Sequence, residues 1–137
     1  MSAPRRALLD TSVIIDFPAA AVSEVADEVA VSAVTIAELQ FGVTAATDPL
    51  TQMHRRRRVQ GVLEHFDVLP FDASTAEYYG ALASLVRQRG RNPRPRRLDL
   101  QIAATAARHG LALLTHNGGD FVGLESALPV IDLSGPD

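Results

Sequence analysis

Five short apolar runs constrain this chain more than any other feature: residues 6–9, 28–31, 67–69, 111–115 and 130–133. Each has strand length, and segments with helical periodicity separate them. Strands alternating with helices predict an α/β fold, with a central, mostly parallel sheet of about five short strands flanked by helices. At 137 residues the chain supports one domain with a hydrophobic core that needs no covalent staples. The domain is expected over residues 1–133, with 134–137 as a loose C-terminal tail.

Several helices announce their ends. Asp48-Pro49 offers an N-cap followed by proline at the first helical position, and Ser74-Thr-Ala-Glu77 reads as a capping box. After it, Tyr78, Leu82, Leu85 and Val86 recur at helical spacing. A second helix, rich in alanine, is predicted over 98–109, with Gly110 as its stop. Between these two lies Arg91-Asn-Pro-Arg-Pro-Arg-Arg97, where two prolines should break any helix and present the arginines on an extended loop.

Composition narrows the chemistry. Cysteine is absent, which excludes disulfides, thiolate catalysis and cysteine-held zinc or iron–sulfur sites. The N-terminus has no uninterrupted apolar run of signal-peptide length and nothing approaches a membrane span, so a soluble cytoplasmic protein is expected. All thirteen basic residues are arginine, and ten of them fall at 55–58 and at Arg87, Arg89, Arg91, Arg94, Arg96 and Arg97. A chain of net charge −3 can therefore still bind a polyanion locally.

Four carboxylates occupy the places where an open parallel sheet gathers its functional groups, the carboxyl ends of strands and the starts of the following helices. Asp10 ends the first strand, and Glu38 lies near the start of the helix after the second. Asp99 begins the alanine-rich helix, and Asp120 follows the fourth strand by five residues. Helix N-termini help keep such groups ionised. Brought together, the four would repel unless a cation neutralised them, and oxygen ligands of this kind suit Mg²⁺ or Mn²⁺. A divalent ion acidifies water and directs it at a phosphodiester, and a second ion would steady the leaving oxygen.

Four motifs carry a family resemblance: LLDTSVIID at residue 10, TIAELQFG at 38, LDLQIAATA after the arginine loop and THNGGDF near the end. In this order and spacing, over nearly the whole chain, they resemble the PIN-domain ribonucleases, and most closely the VapC toxins of bacterial VapBC toxin–antitoxin modules. The resemblance implies a PIN-like fold and an acidic metal site of Asp10, Glu38, Asp99 and Asp120. Thr11 or Ser12 would add a hydroxyl near the metal, and Thr115 and Asn117 would brace the loop that presents Asp120. It further implies Mg²⁺- or Mn²⁺-dependent endoribonuclease activity on tRNA or rRNA, homodimerisation and a VapB-type antitoxin. Arg94, Arg96 and Arg97 would then contact the RNA backbone, a role suited to arginine's forked donors. The Gly118-Gly119 pair departs from the bulkier pair expected before Asp120.

Plainer readings compete. Thr35-Ile-Ala-Glu38 is itself a capping box, Asp99 alone could serve the helix macrodipole, and Asp120 alone could be a turn residue. Asp10 resists such a reading, because a carboxylate ending an apolar strand is costly to bury unpaired. Asp16 is read as a supporting or helix-capping group. The histidines lack metal-ligand spacing; His109 suits a helix C-terminus and His116 the surface. Arg55 and Arg58 share a helix face, with RNA, a protein partner or solvent as alternatives for it. Two other functions stay open: a non-cleaving PIN-like protein that binds RNA or antitoxin, which metal titration would separate, and a metal-dependent DNA or flap nuclease, which a comparison of substrates would separate.

Overall fold

The strand β1 (Arg6–Leu9) lies at the centre of a five-stranded sheet in a computed structural model that describes residues 3–134. Its neighbours are β2 (Glu28–Ser32) on one side and β4 (Ala112–Thr115) on the other, with β3 (Asp67–Leu69) and β5 (Val130–Asp132) at the edges. All four pairings are parallel, with Leu8 opposite Ala30 and Leu113. The order β3-β2-β1-β4-β5 places a topological switch between β1 and β4, where chain excursions diverge to opposite sides and leave a crevice at the strands' carboxyl ends.

Six helices cover the sheet: α1 (Thr11–Ile15), α2 (Ala19–Val25), α3 (Ala33–Ala45), α4 (Pro49–His65), α5 (Ala73–Gln88) and α6 (Arg97–Arg108). The central strands are buried on both faces, so side chains alternate between two cores. Leu8 and Leu113 join Leu82 of α5 with Leu100 and Ile102 of α6. Ala7, Leu9 and Leu114 join Val13, Leu39 and Val43, together with Val59 and Val62 of α4. The expected strands recur with boundaries moved by at most a residue or two. The fourth begins at Ala112 because the Leu111 N–H is used to close α6, bonding the Ala106 carbonyl at 2.9 Å in a Schellman motif. Gly110 supplies the left-handed residue of that motif at φ 66°.

One capping expectation is corrected, at α5, and one competing reading is set aside, at α3. The cap of α5 is Asp72, whose Oδ1 accepts from the Thr75 N–H at 3.0 Å and from its hydroxyl at 2.9 Å; Ser74 lies inside the helix. Likewise α3 is capped by Ser32, which accepts from the Val34 N–H at 3.0 Å, so Thr35 and Glu38 form no capping box. In both cases the true cap is the polar residue at which extended backbone turns helical, and the Ser/Thr read as a cap lies a few positions inside. Asp48 caps α4 with Pro49 following, as expected.

The arginine loop is also tighter than expected. Residues Arg94–Arg96 form a 3₁₀ turn leading straight into α6, with the Asn92 side chain accepting from the Arg94 N–H at 3.1 Å. Proline's fixed φ suits a first helical turn as well as an extended loop, and here the turn wins. Of the expected tail, Ser134 is tied to Asp132 Oδ1 through its N–H (2.8 Å) and hydroxyl (2.6 Å); residues 135–137 lie outside the described residues. Among the described residues no helix is long and apolar enough to cross a membrane. Replacing Asp72 with alanine should cost about 1 kcal/mol in urea-induced unfolding. Ser74→Ala should stay within about 0.5 kcal/mol; the reverse ranking would restore the capping box.

Candidate active site

Asp10 stands where β1 ends at the switch point. Its N–H continues the ladder to the Leu114 carbonyl at 2.9 Å, and α1 starts immediately after it. Although it occupies the N-cap position, its side chain caps nothing. Instead Oδ2 accepts two hydroxyls, from Ser12 and Thr115, each at 2.8 Å, and the residue is only 5% exposed. Among the described residues no cationic side chain pairs with it. A buried carboxylate held by hydroxyls alone is under-compensated, because hydroxyls supply hydrogen bonds and no countercharge.

The hydroxyl layer extends outward. Ser12 Oγ also accepts from the His116 N–H at 3.2 Å, and Thr115 Oγ1 accepts from the Asn117 N–H at 3.0 Å. Thus Thr115 both grips Asp10 and anchors the turn carrying Asp120, while Asn117 contributes to that turn through its backbone. Thr11 turns the other way: its Oγ1 donates to Glu38 Oε1 at 2.9 Å and lies 3.0 Å from Thr35 Oγ1. Thr35 is fully buried and was missed as a site residue, since its spacing from Glu38 suggested a cap. The signal available was that spacing itself, which puts both residues on one helix face. Ser32 was missed too; its hydroxyl lies 3.1 Å from Thr105 Oγ1, which ties the start of α3 to α6. Asp16 ends α1 instead of beginning a helix, and its carbonyl meets His116 Nε2 at 2.7 Å.

Asp120 lies in a 3₁₀ turn (Gly118–Phe121) pinned from two sides. The Phe121 ring is buried in the core, and the Gly118 N–H donates to Asp132 Oδ2 at 3.0 Å. A Cβ at Gly118 would overlap the Asp132 carboxylate, so glycine permits the close approach that braces the loop. The expected looseness of Gly118-Gly119 is therefore offset at Gly118 by β5.

The four acids are brought within electrostatic reach of one another. Asp99 is pushed up to about 6, first by burial and then by repulsion from Asp10, Asp120 and Glu38. Glu38 is raised as well, by burial and by Asp10, against the opposing Thr11 hydrogen bond. Arg96 answers this charge: its Nη1 pairs with Asp120 and lies 3.9 Å from Asp99 Oδ2. Among the described residues no three acidic or histidine side chains form a closed metal-holding cluster. Like charges without a cation are expected to stand apart, and a guanidinium at two of them has the same cause.

The arginine segment is divided by its 3₁₀ turn. Arg96, Arg89 and Arg91 line a small cavity with Asp120, whereas Arg94 and Arg97 line a separate one with Arg87 and Tyr79. Only Arg96 of the three arginines singled out from sequence meets the acids.

The sign of the Asp99 shift predicts a pH dependence. A carboxyl whose folded pKa lies above its unfolded value contributes stability below about pH 4, and that contribution is lost as pH rises through about 6. Without divalent ions, Asp99→Asn should therefore melt above the parent at pH 7.5 and close to it at pH 4. Adding Mg²⁺ or Mn²⁺ at pH 7.5 should raise the melting temperature of the parent more than that of the variant. Equal responses to the ions would remove Asp99 from the cation site.

Comparison with known proteins agrees with this architecture. A PIN domain model matches residues 7–125. Ribonuclease VapC5 of Mycobacterium tuberculosis is 35% identical over 130 residues, 93% of each chain, and ribonuclease VapC4 of the same organism is 36% identical over 116 residues, 82% of this chain and 87% of that one. The crystal structure of VapBC-5 from M. tuberculosis, a member of the VapBC family of toxin–antitoxin systems, superposes with a TM-score of 0.80 at 34% identity, covering 94% of this chain and 98% of that one. A parallel sheet whose central strand ends in a buried, hydroxyl-held aspartate, matched along most of its length to these proteins, belongs to the PIN-domain family, among the VapC ribonucleases.

Proposed function

We propose that this chain is the toxin of a type II toxin–antitoxin pair, an endoribonuclease that depends on a divalent cation and is restrained by a VapB-type antitoxin. The observation that carries the reading is the under-compensated Asp10 carboxylate, beside an Asp99 that burial first, and then the charges of Asp10, Asp120 and Glu38, push up to about 6. The likeness to VapC5 and to the VapBC-5 structure supports both the activity and the partner.

The donor set fits a hard cation. It consists of carboxylates and hydroxyls, with no thiol or imidazole at its centre, which is the ligand chemistry of Mg²⁺, with Mn²⁺ as a substitute. Asp10, Glu38, Asp99 and Asp120 would hold the ion. Bound there, it supplies positive charge against the developing negative charge of phosphodiester hydrolysis and acidifies water. The remaining work belongs to the chain. Ser12 and Thr115 hold Asp10 by one oxygen, and Thr11 fixes Glu38 through Oε1. Asp132 and Phe121 keep the Asp120 turn in place. Arg96, paired with Asp120 here, would be available to an RNA phosphate once a cation neutralised the acids. Arg94 and Arg97 extend the phosphate contacts along the adjoining cavity. The functional unit is a homodimer, with tRNA or rRNA as the substrate class.

Purified protein incubated with total RNA and Mg²⁺ or Mn²⁺ should produce discrete cuts that disappear with chelator and in Asp10→Asn. Persistent cutting by folded Asp10→Asn would remove the acidic site from the mechanism. The paired change Arg94→Ala and Arg97→Ala should reduce the slope of log affinity against log salt for single-stranded RNA by about 1.4, or about 0.7 per phosphate contact. An unaltered slope would place both side chains off the RNA.

A further inference from the structure

The Glu38 edge of the acidic site opens into a cavity of about 450 Å³ that the metal chemistry does not use. It is lined by Thr11, Ile15, Glu38, Leu39 and Gly42, together with Arg55 and Arg58 of α4. A volume of this order takes one ligand of nucleotide size.

The two arginines differ in how they are held. Arg55 is partly buried, and its Nη1 donates to the Gly42 carbonyl at 2.6 Å, which fixes the guanidinium while leaving other N–H donors. Arg58 is exposed one helical turn further along the same face. Among the described residues neither forms an ion pair. The charged groups lining this space are therefore two guanidiniums without a carboxylate partner and Glu38, the latter answered by the cation in the reading above.

From this arrangement we propose that the cavity is a substrate subsite: it seats a single-stranded nucleotide next to the scissile position, with its phosphate on Arg58 and Arg55 and its base over Ile15 and Leu39. Ile15 is 56% exposed, an apolar side chain left open where a flat base would cover it. Arg89, Arg91 and Arg96 line a second cavity with Asp120, so a strand running from one cavity to the other over the carboxylates would meet arginine in both. Charge complementarity and continuity with the acidic site favour RNA over a protein segment as the occupant. The inference rests on the ribonuclease reading for its context, but its test does not require cleavage.

Neighbouring residues on α4 provide the control. Arg56 carries the same charge but lines a different hollow with Gln40, Gln60 and Leu63. In an Asp10→Asn background, binding of a fluorescein-labelled oligouridylate should be measured across a salt series for Arg58→Ala, Arg58→Lys and Arg56→Ala. Arg58→Ala should weaken binding about fivefold and flatten the salt slope by about 0.7. Arg58→Lys should restore the slope, and Arg56→Ala should change neither quantity by more than about half as much. In the cleaving parent, Arg58→Ala should raise KM with kcat little changed. Equal effects of Arg56→Ala and Arg58→Ala, or an unchanged slope, would overturn the subsite. So would an Arg58→Ala protein that binds RNA normally but loses its antitoxin, since the groove would then belong to the protein partner. Arg58-dependent binding without any cleavage by the parent would instead leave the subsite standing and overturn the ribonuclease reading.

Discussion

A carboxylate buried at the end of the central strand organises the chemistry of this protein. Asp10 is carried inward by β1, which packs on both faces, so its backbone has no freedom to move it toward water. The fold answers with two hydroxyls, from Ser12 just after it and from Thr115 at the end of the adjacent strand, 105 residues away. Neither neutralises the charge. What remains is a buried carboxylate with no cationic partner among the described residues, held in place by the packing of the strands. Each hydroxyl also accepts a backbone N–H from the turn after β4, so the same bonds that hold Asp10 fix the approach to Asp120.

The other acids are supported on separate elements, and this divides the site into two halves. Glu38 depends on α3, which starts at Ser32 and is tied to α6 by Thr105. Asp120 depends on the turn held by Phe121 and Asp132. Asp99 is half-buried and feels the charge of all three other acids, and burial first and repulsion second push its carboxyl up to about 6. Arg96 joins the halves electrostatically through Asp120 and Asp99. Arg96 is exposed while both aspartates are half-buried, so solvent screens these pairs only in part. The arginines beyond it line two separate cavities that each include one of the acids, Arg55 and Arg58 with Glu38 and Arg89 and Arg91 with Asp120. An acidic chain thus carries arginines beside its acids, an arrangement suited to a polyanionic partner.

Much of this was legible before folding because strands buried on both faces leave continuous apolar runs, and acids at their ends interrupt those runs visibly. All five strands, the Asp48 cap and the Gly110 stop could be read this way. The misreadings have one physical origin. A Ser/Thr followed by Glu three residues later satisfies the capping pattern wherever it occurs, and only backbone angles show which polar residue stands at the turn into helix. At α3 that residue is Ser32 and at α5 it is Asp72. The prolines at 93 and 95 were similarly ambiguous, since their fixed φ serves an extended loop and a helical first turn alike.

The sequence by itself determined the layered α/β architecture and placed four acids at strand ends and helix starts, because apolar periodicity and strand-end position are local properties. Tertiary structure decided everything that depends on contacts between distant segments. It chose Thr115 as the second hydroxyl on Asp10, joined Thr11 and Thr35 around Glu38, and let Asp132 brace a turn that looked loose. It also divided one run of arginines between the acids and a separate cavity, and set Arg58 beside the site while its neighbour Arg56 faces elsewhere. Spacing along a chain gives the order in which charged groups occur; their separation in space, which governs repulsion and pairing, exists only after the helices have packed on the sheet.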